Sequence, residues 1–260
     1  MNRLDQFFTN PDVVDYCIKT IKFNDYDMVI EPSAGSGAFY NKITTNKIGI
    51  DLDPKIEGLI KQDYLKFDTS LKNYNKILTI GNPPFGKNAS LAVKFFNHAA
   101  SYSDTIAFVL PRTFRKSSVI NRLSEKFNLE LNTILPDNSF HLPNGEIYDV
   151  PCVWQIWKLG ETRKKIKKVI KHADFQFVSN KSNANFVIQR VGNAAGSTHK
   201  NFNKSKASHY WIKGSEKVYN IMKSINWNYK ESPKYDTAGN PSLSKGDLID
   251  KYINESMKKC

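Results

Sequence analysis

The chain has 260 residues, 40% of them hydrophobic and 12% aromatic, which is enough for one or two cored domains and rules out wholesale disorder. Lys and Arg total 38 against 25 Asp and Glu, a net charge of +13. No run of about 18 apolar residues exists, which excludes a membrane-spanning helix, and the opening Met1–Val14 lacks the apolar core of a signal peptide. An intracellular setting, cytoplasmic or nuclear, is therefore expected. Cys17, Cys152 and Cys260 are scattered and make neither a disulfide framework nor a metal-ligand spacing, so no metal is expected.

The charge is unevenly placed. Residues 1–157 carry 17 basic and 17 acidic side chains, whereas residues 158–260 carry 21 and 8, so the whole excess lies in the last 103 residues. A neutral front and a basic back point to chemistry first and polyanion binding second, against the plainer reading of a solvated basic surface.

In chain order, residues 12–22 have the apolar spacing of an amphipathic helix behind an Asn-Pro start. MVIEPSAGSGAF, NKIGIDLDP, KILTIGNPPFG and TIAFVLPRTF each open on a β-rich run and close on turn residues. Helical patterns cover 88–101 and 116–127, and VPCVWQIWKL (150–159) reads as a late buried strand. Alternating strands and helices predict a parallel sheet covered on both faces. Behind it, residues 162–172 are a basic stretch, DFQFVS and NFVIQRVG read as strands, and residues 193–209 as an exposed loop. Residues 215–225 and the C-terminal DLIDKYINESMKK read as helices. The expected organisation is an α/β domain over 1–160 and a smaller basic α+β extension over 161–260.

The chemistry begins at Glu31-Pro32-Ser33-Ala34-Gly35-Ser36-Gly37-Ala38-Phe39, directly after an apolar run. In an open α/β sheet, ligands sit beyond the carboxyl ends of the strands, and Gly35 and Gly37 let backbone approach one closely. A dinucleotide fingerprint would need a third glycine where Tyr40 stands, and Glu31 would repel a pyrophosphate. The loop therefore favours a cationic ligand such as S-adenosylmethionine over NAD, with a plain structural turn as the alternative. Asp51 closes the next strand, where a carboxylate can accept ribose hydroxyls; Asp53 reads as a cap. Asp63, beside Tyr64, comes near a third strand end and could accept from an adenine amino group.

The strongest element is Gly81-Asn82-Pro83-Pro84-Phe85-Gly86 after the strand Ile77–Ile80. Two prolines fix the backbone and hold the Asn82 amide oxygen and the Pro83 carbonyl as converging acceptors for an –NH₂ group. Phe85 offers a flat face for a planar ring.

These residues resemble the amino-group methyltransferases, specifically the adenine-N6 methyltransferases with an Asn-Pro-Pro-aromatic motif. Phe7-Phe8-Thr9-Asn10-Pro11 is similar to the family's element on the methionine part of the cofactor, and Glu31–Phe39, Asp51, Asp63 and Asn82–Phe85 follow in its order over about residues 5–157. The resemblance implies a Rossmann-like seven-stranded sheet and S-adenosylmethionine as donor, bound by Phe8, Thr9, Asn10, Glu31, Ser33, Gly35, Gly37, Phe39, Asp51, Asp63, Tyr64 and Asn82. Asn82, Pro83, Pro84 and Phe85 would carry catalysis, and Phe140 lies where relatives place a second aromatic beside the target base, a core aromatic being the alternative. Phe85, where the family's DNA enzymes often carry Tyr, and the short C-terminal part leave DNA and RNA both open, with DNA slightly favoured. A protein glutamine methyltransferase, which shares the motif, is the other substrate class; its helical substrate domain precedes the cofactor loop, whereas here the extra mass is basic and C-terminal. Nucleic-acid phosphates would be held by Lys164, Lys165, Lys167, Lys168 and Lys171, a stripe if helical, and by Lys204 and Lys206 beside Trp211, where basic residues interleave with aromatics.

Overall fold

A computed structural model of the chain describes residues 7–69, 71 and 74–258, so Cys260 lies outside the described residues. The chain divides into two compact units, 1–166 and 167–260.

The first unit is built on strands β1 (Phe8–Thr9), β2 (Met28–Pro32), β3 (Lys47–Asp51), β4 (Ile60–Lys61), β5 (Ile77–Gly81), β6 (Thr105–Pro111), β7 (Phe127–Ile134), β8 (Phe140–His141), β9 (Ile147–Tyr148) and β10 (Cys152–Leu159). Seven of them form one sheet in the order β4-β3-β2-β5-β6-β10-β7. Pairing is parallel from β4 through β6, and β10 runs antiparallel to both β6 and β7. This is the Rossmann-like seven-stranded sheet that the resemblance implied. Its central strands are buried along their whole length, as the unbroken runs Met28-Val29-Ile30 and Ile77-Leu78 require of strands covered on both faces. One core lies around Val13, Val14 and Cys17 of α1 (Pro11–Ile18) with Phe39 and Trp154, and the other around Phe96 of α2 (Ser90–Ala99) with Phe108, Phe127 and Trp157.

The strand order reverses between β2 and its neighbours β3 and β5, so the loops after these three strands open onto one crevice. Beside them β1, β8 and β9 form a small separate sheet, with Thr9 opposite Phe140 and Phe8 opposite His141.

One expectation is corrected in this unit. The segment 116–127 is not one helix: α3 spans only Ser117–Ile120, turns follow, and Phe127 already starts β7. Phe127 faces the core while Asn128, Leu129 and Glu130 are exposed, so the apolar residues there serve an edge strand. Residues 162–172 are likewise not helical. Arg163 is drawn into the first unit by hydrogen bonds to the Ile120, Leu123 and Phe127 carbonyls.

In the second unit β11 (Phe175–Val178), β12 (Phe186–Gln189), β13 (Thr198–His199) and β14 (His209–Gly214) form an antiparallel sheet in the order β11-β14-β12-β13. Helices α4 (Glu216–Ser224) and α5 (Lys245–Met257) pack on one of its faces through Ile221, Met222, Leu248, Ile249 and Tyr252. Ser244 opens α5 in a reciprocal cap with Asp247. No helix among the described residues is long and apolar enough to cross a membrane.

Candidate active site

The crevice holds a cavity of about 440 Å³, walled by β1, the loop after β2, the ends of β3 and β5, and the turn after β4. That is within the usual size of a cofactor site. Among the described residues its charged lining is one-sided: Glu31, Asp51, Asp53 and Asp63 against the single cation Lys55, which is already paired with Asp53 at 2.5 Å.

Glu31 ends β2 and is 2% exposed. Its Oε2 is buried with no hydrogen-bond partner. Burial pushes its carboxyl well above the usual range; the Tyr40 backbone N–H opposes this, the nearby Asp51 adds to it and Lys47 counters it. A buried carboxylate facing a cavity without a partner fits a cationic group on a ligand and is incompatible with a phosphate. Gly81, at the end of β5, has φ +142, and a Cβ there would stand 3.1 Å from Glu31 Cγ, so a glycine is what lets this carboxylate sit beside the motif.

The loop after β2 is shaped by positive φ at Ser33, Gly35 and Gly37. A Cβ on Gly35 would lie 3.2 Å from the Phe8 ring, so that glycine admits β1 to the cavity wall. Asp51 accepts from Gly35 N–H at 2.7 Å through Oδ2 and from Asp53 N–H at 2.8 Å through Oδ1, which fixes the carboxylate and leaves each oxygen a further lone pair. Asp63 Oδ1 accepts from Leu65 N–H at 3.0 Å. Leu52, Leu65, Leu91 and Phe95 supply apolar lining between the acids.

The Asn82 amide is oriented by its neighbours. Its Nδ2 donates to the Phe7 carbonyl and to Thr9 Oγ1, both at 3.1 Å. Both N–H bonds are thus committed to β1 and the residue before it. Among the described residues neither Asn82 Oδ1 nor the Pro83 carbonyl accepts a hydrogen bond. Asn82 and Pro84 line the cavity; Phe85 does not, and instead packs half-buried against the two cores, its ring 6.4 Å from that of Phe7. After Phe85 the chain holds Gly86, Asn88 and Ala89 at positive φ, an uncommon run of strain next to a site.

Of the residues assigned to the cofactor from the sequence, Phe8, Thr9, Glu31, Ser33, Gly35, Phe39, Asp51, Asp63, Tyr64 and Asn82 line this cavity. Asn10 and Gly37 do not. Asn10 ties β1 to the β8 strand, donating to the Asn138 carbonyl at 2.7 Å and meeting His141 Nδ1 at 2.7 Å. Gly37 is needed for packing, because a Cβ there would stand 2.4 Å from Ile56 Cδ1. Phe140 is corrected: it is 1% exposed, in the core with Phe39 and Trp154, because strand alternation turns its neighbour His141 the other way, onto Phe8. The exposed aromatic of this region is Tyr148, stacked on Phe7 at 4.5 Å and 6°. Asn144-Gly145, with Gly145 at φ +83, is the turn signal that could have revealed the β8–β9 hairpin presenting it.

The stripe that Lys164, Lys165, Lys167, Lys168 and Lys171 would make if helical does not form, because residues 162–172 are not helical. Lys165 pairs with Glu125 at 3.4 Å and Lys168 pairs with the buried Asp247, while Lys164 and Lys167 are exposed. Without a helix, residues three and four apart do not share a face. Lys204 and Lys206 are exposed, and Lys206 Nζ lies 5.9 Å from the centre of the half-buried Trp211 ring.

No family model matches the chain. An alignment 192 positions long, covering 62% of the chain, is 27% identical to the Arabidopsis thaliana protein ENHANCED DOWNY MILDEW 2, and it spans 14% of that protein's length. Solved structures similar to the chain include a Pyrococcus horikoshii protein described provisionally as an RNA methyltransferase (14% identity, 61% of this chain and 88% of that one, TM-score 0.47). They also include a dimethyladenosine transferase from Plasmodium falciparum (18%, 59% and 63%, TM-score 0.41). A third is the magnesium protoporphyrin IX methyltransferase of Synechocystis with bound S-adenosylmethionine (9%, 56% and 76%, TM-score 0.38). None reaches a TM-score of 0.5, so what the site does has to be read from its own residues.

Proposed function

We propose that the chain is an S-adenosylmethionine-dependent methyltransferase whose acceptor is the exocyclic N6 amine of adenine in nucleic acid. The observation that carries this reading is the Asn82 amide: its two N–H bonds are spent on Phe7 and Thr9, so Oδ1 is left as an acceptor at a cavity lined with carboxylates, with the Pro83 carbonyl next to it in the chain and accepting no hydrogen bond among the described residues.

The residues present fit the cofactor. The unpartnered Glu31 Oε2 suits its cationic methionine part, Asp51 its ribose hydroxyls, Asp63 its adenine amino group, and Leu52 and Leu65 its base. When bound, S-adenosylmethionine supplies a methyl already activated on a sulfonium sulfur, which remains as a thioether. The chain's own work is positioning. Asn82 Oδ1 and the Pro83 carbonyl accept the two N6 hydrogens and so turn the nitrogen lone pair away from themselves. Phe85, Phe7 and Tyr148 offer aromatic surface for the base, which must be outside a duplex stack to enter. Once it has gained the methyl, the nitrogen carries a positive charge and both hydrogens; one proton leaves to water, and the remaining N–H stays on one of the two acceptors. The second unit, with 17 Lys and Arg against 7 Asp and Glu, supplies phosphate affinity.

The test is methyl-label transfer to matched DNA and RNA pools followed by nucleoside mass spectrometry. The expected product is N6-methyladenine, and the pool carrying it identifies the polymer. Label on protein glutamine instead, or a chain that binds cofactor and labels neither pool, overturns the adenine assignment.

A further inference from the structure

The sheet of the second unit has a face that its helices leave uncovered. Strand alternation puts Phe175, Phe186, Ile188, Tyr210 and Ile212 on the side packed by α4 and α5. The same alternation puts Val187, His199, His209, Trp211 and Lys213 on the other side. There Val187 stands opposite both Trp211 and His199. The His199 and His209 rings meet edge to face at 5.3 Å. His209 is 5% exposed; its Nδ1 meets Ser208 Oγ at 2.9 Å, while its Nε2 is buried with no partner. Trp211 Nε1 is likewise buried and unpartnered.

The loop 200–208 brings lysines to this face. Lys206 lies over the Trp211 ring. Burial holds both imidazoles below their ordinary range, and the positive charge of Lys204 lowers them further, so it stands near both. Ion pairs of this unit include Lys168–Asp247, His172–Asp174, Lys200–Glu216, Lys251–Glu255 and Lys258–Glu255, and none of these engages Lys204, Lys206 or Lys213. Donors and cations that converge without a carboxylate form a seat for an anion. A half-buried indole beside that seat is a surface for a flat ring.

A nucleotide of a single strand offers both at adjacent positions, a free base face and a phosphate. A duplex hides its base faces in the stack, and an acidic peptide would use the lysines but not the indole. We infer that the outer face of this sheet is a docking surface for single-stranded nucleic acid. Trp211 stacks on an unpaired base, and Lys204 and Lys206 hold the neighbouring phosphates, with the half-buried His199 beside them and the buried His209 behind it. The inference deepens the proposed nucleic-acid reading and rests on it for the class of polymer.

The test is fluorescence anisotropy of the full chain, without cofactor, against labelled single-stranded DNA and RNA oligonucleotides, their duplexes and a polyglutamate competitor. Single strands should bind more tightly than duplexes. Trp211→Ala should weaken that binding by about 5- to 100-fold, the range for losing one stacked base, and Trp211→Phe should restore much of it. Lys204→Ser with Lys206→Ser should reduce the slope of log affinity against log salt by about 1.4. Folded Trp211→Ala and double-lysine variants that bind single strands as the parent does would overturn the inference, as would equal binding of duplex or full displacement by polyglutamate. Binding is read apart from turnover. A chain that binds single strands through this face but methylates no adenine keeps this inference and loses the proposed reaction. A Trp211→Ala chain that methylates adenine with unchanged KM does the reverse.

Discussion

In the first unit the carboxylates of the candidate site face inward: Glu31, Asp51 and Asp63 line a cavity whose one lysine among the described residues, Lys55, is paired with Asp53. In the second unit the arrangement is inverted. Asp247 is drawn into a cap with Ser244 and a pair with Lys168, while the exposed Lys204, Lys206 and Lys213 enter no ion pair among the described residues. The same kind of side chain therefore has opposite meaning in the two regions. A buried, unpaired acid selects a cation at short range, where desolvation makes it decisive. An exposed lysine selects a polyanion at long range, where salt screens it. Perturbing charge should affect the two regions through different observables.

The largest expected effect lies where the comparison meets the chemistry. Asn82→Ala removes Oδ1 as an acceptor and also frees the Phe7 carbonyl and Thr9 hydroxyl it holds. Turnover should fall by roughly 10²–10³, the usual cost of losing one oriented polar group at a reacting centre. Cofactor affinity should fall by only about 1 kcal/mol, through the loosened β1. Single-turnover methyl transfer and calorimetry on the same preparation separate the two.

Salt comes next. With three phosphate contacts in the second unit, raising salt from about 50 to 200 mM should raise the substrate KM about 20- to 40-fold. Cofactor affinity should change little, because Glu31 is buried and Asp51 and Asp63 are partly so. A cofactor affinity that tracked salt as steeply would erase the contrast.

Glu31→Gln should weaken cofactor binding by about 1.5–3 kcal/mol, the range for a hydrogen bond to a charged group. The pH dependence has a defined sign. Burial holds the free carboxyl high, and a bound cation would lower it, so binding releases a proton. Affinity should therefore rise as pH increases toward the pKa of the free protein and flatten above it, and Glu31→Gln should abolish that rise. Calorimetry in two buffers of different ionisation enthalpy reads the proton directly.

Much of the first unit was legible because its signals are local. Unbroken apolar runs ending in turn residues marked β2, β3, β5, β6 and β10, and two prolines after an asparagine marked the motif. What escaped depends on long-range contacts. That Phe140 is core and Tyr148 exposed follows from β8 pairing with β1 across more than 130 positions, which no window of sequence contains. That Lys165 and Lys168 are neutralised follows from Glu125 and Asp247, which lie 40 and 79 positions away. Composition counted these lysines as available charge, and pairing removed them. Lys234 is a sharper case: it is 1% exposed, with its ammonium on the Asn193 carbonyl and Asn228 Oδ1.

The smallest prediction tests whether the two regions are separable in stability as they are in charge. Ser244 accepts the Asp247 N–H through Oγ at 3.2 Å, and its own N–H and O–H donate to Asp247 Oδ2 at 2.8 and 2.7 Å. Ser244→Ala keeps the backbone N–H bond and loses both hydroxyl bonds, which at a helix N-terminus costs about 1 kcal/mol. Asp247 is also the partner of Lys168, so its carboxylate stays paired and the loss should not grow into that of an uncompensated buried charge. Hydrogen exchange should show faster opening of α5 and of β11 and β14, whose core α5 covers through Leu248, Ile249 and Tyr252. The amides of β2 and β5 should exchange as before, and cofactor affinity should hold. Equal acceleration in β2 and β5 would mean that the neutral and the basic units unfold as one cooperative body.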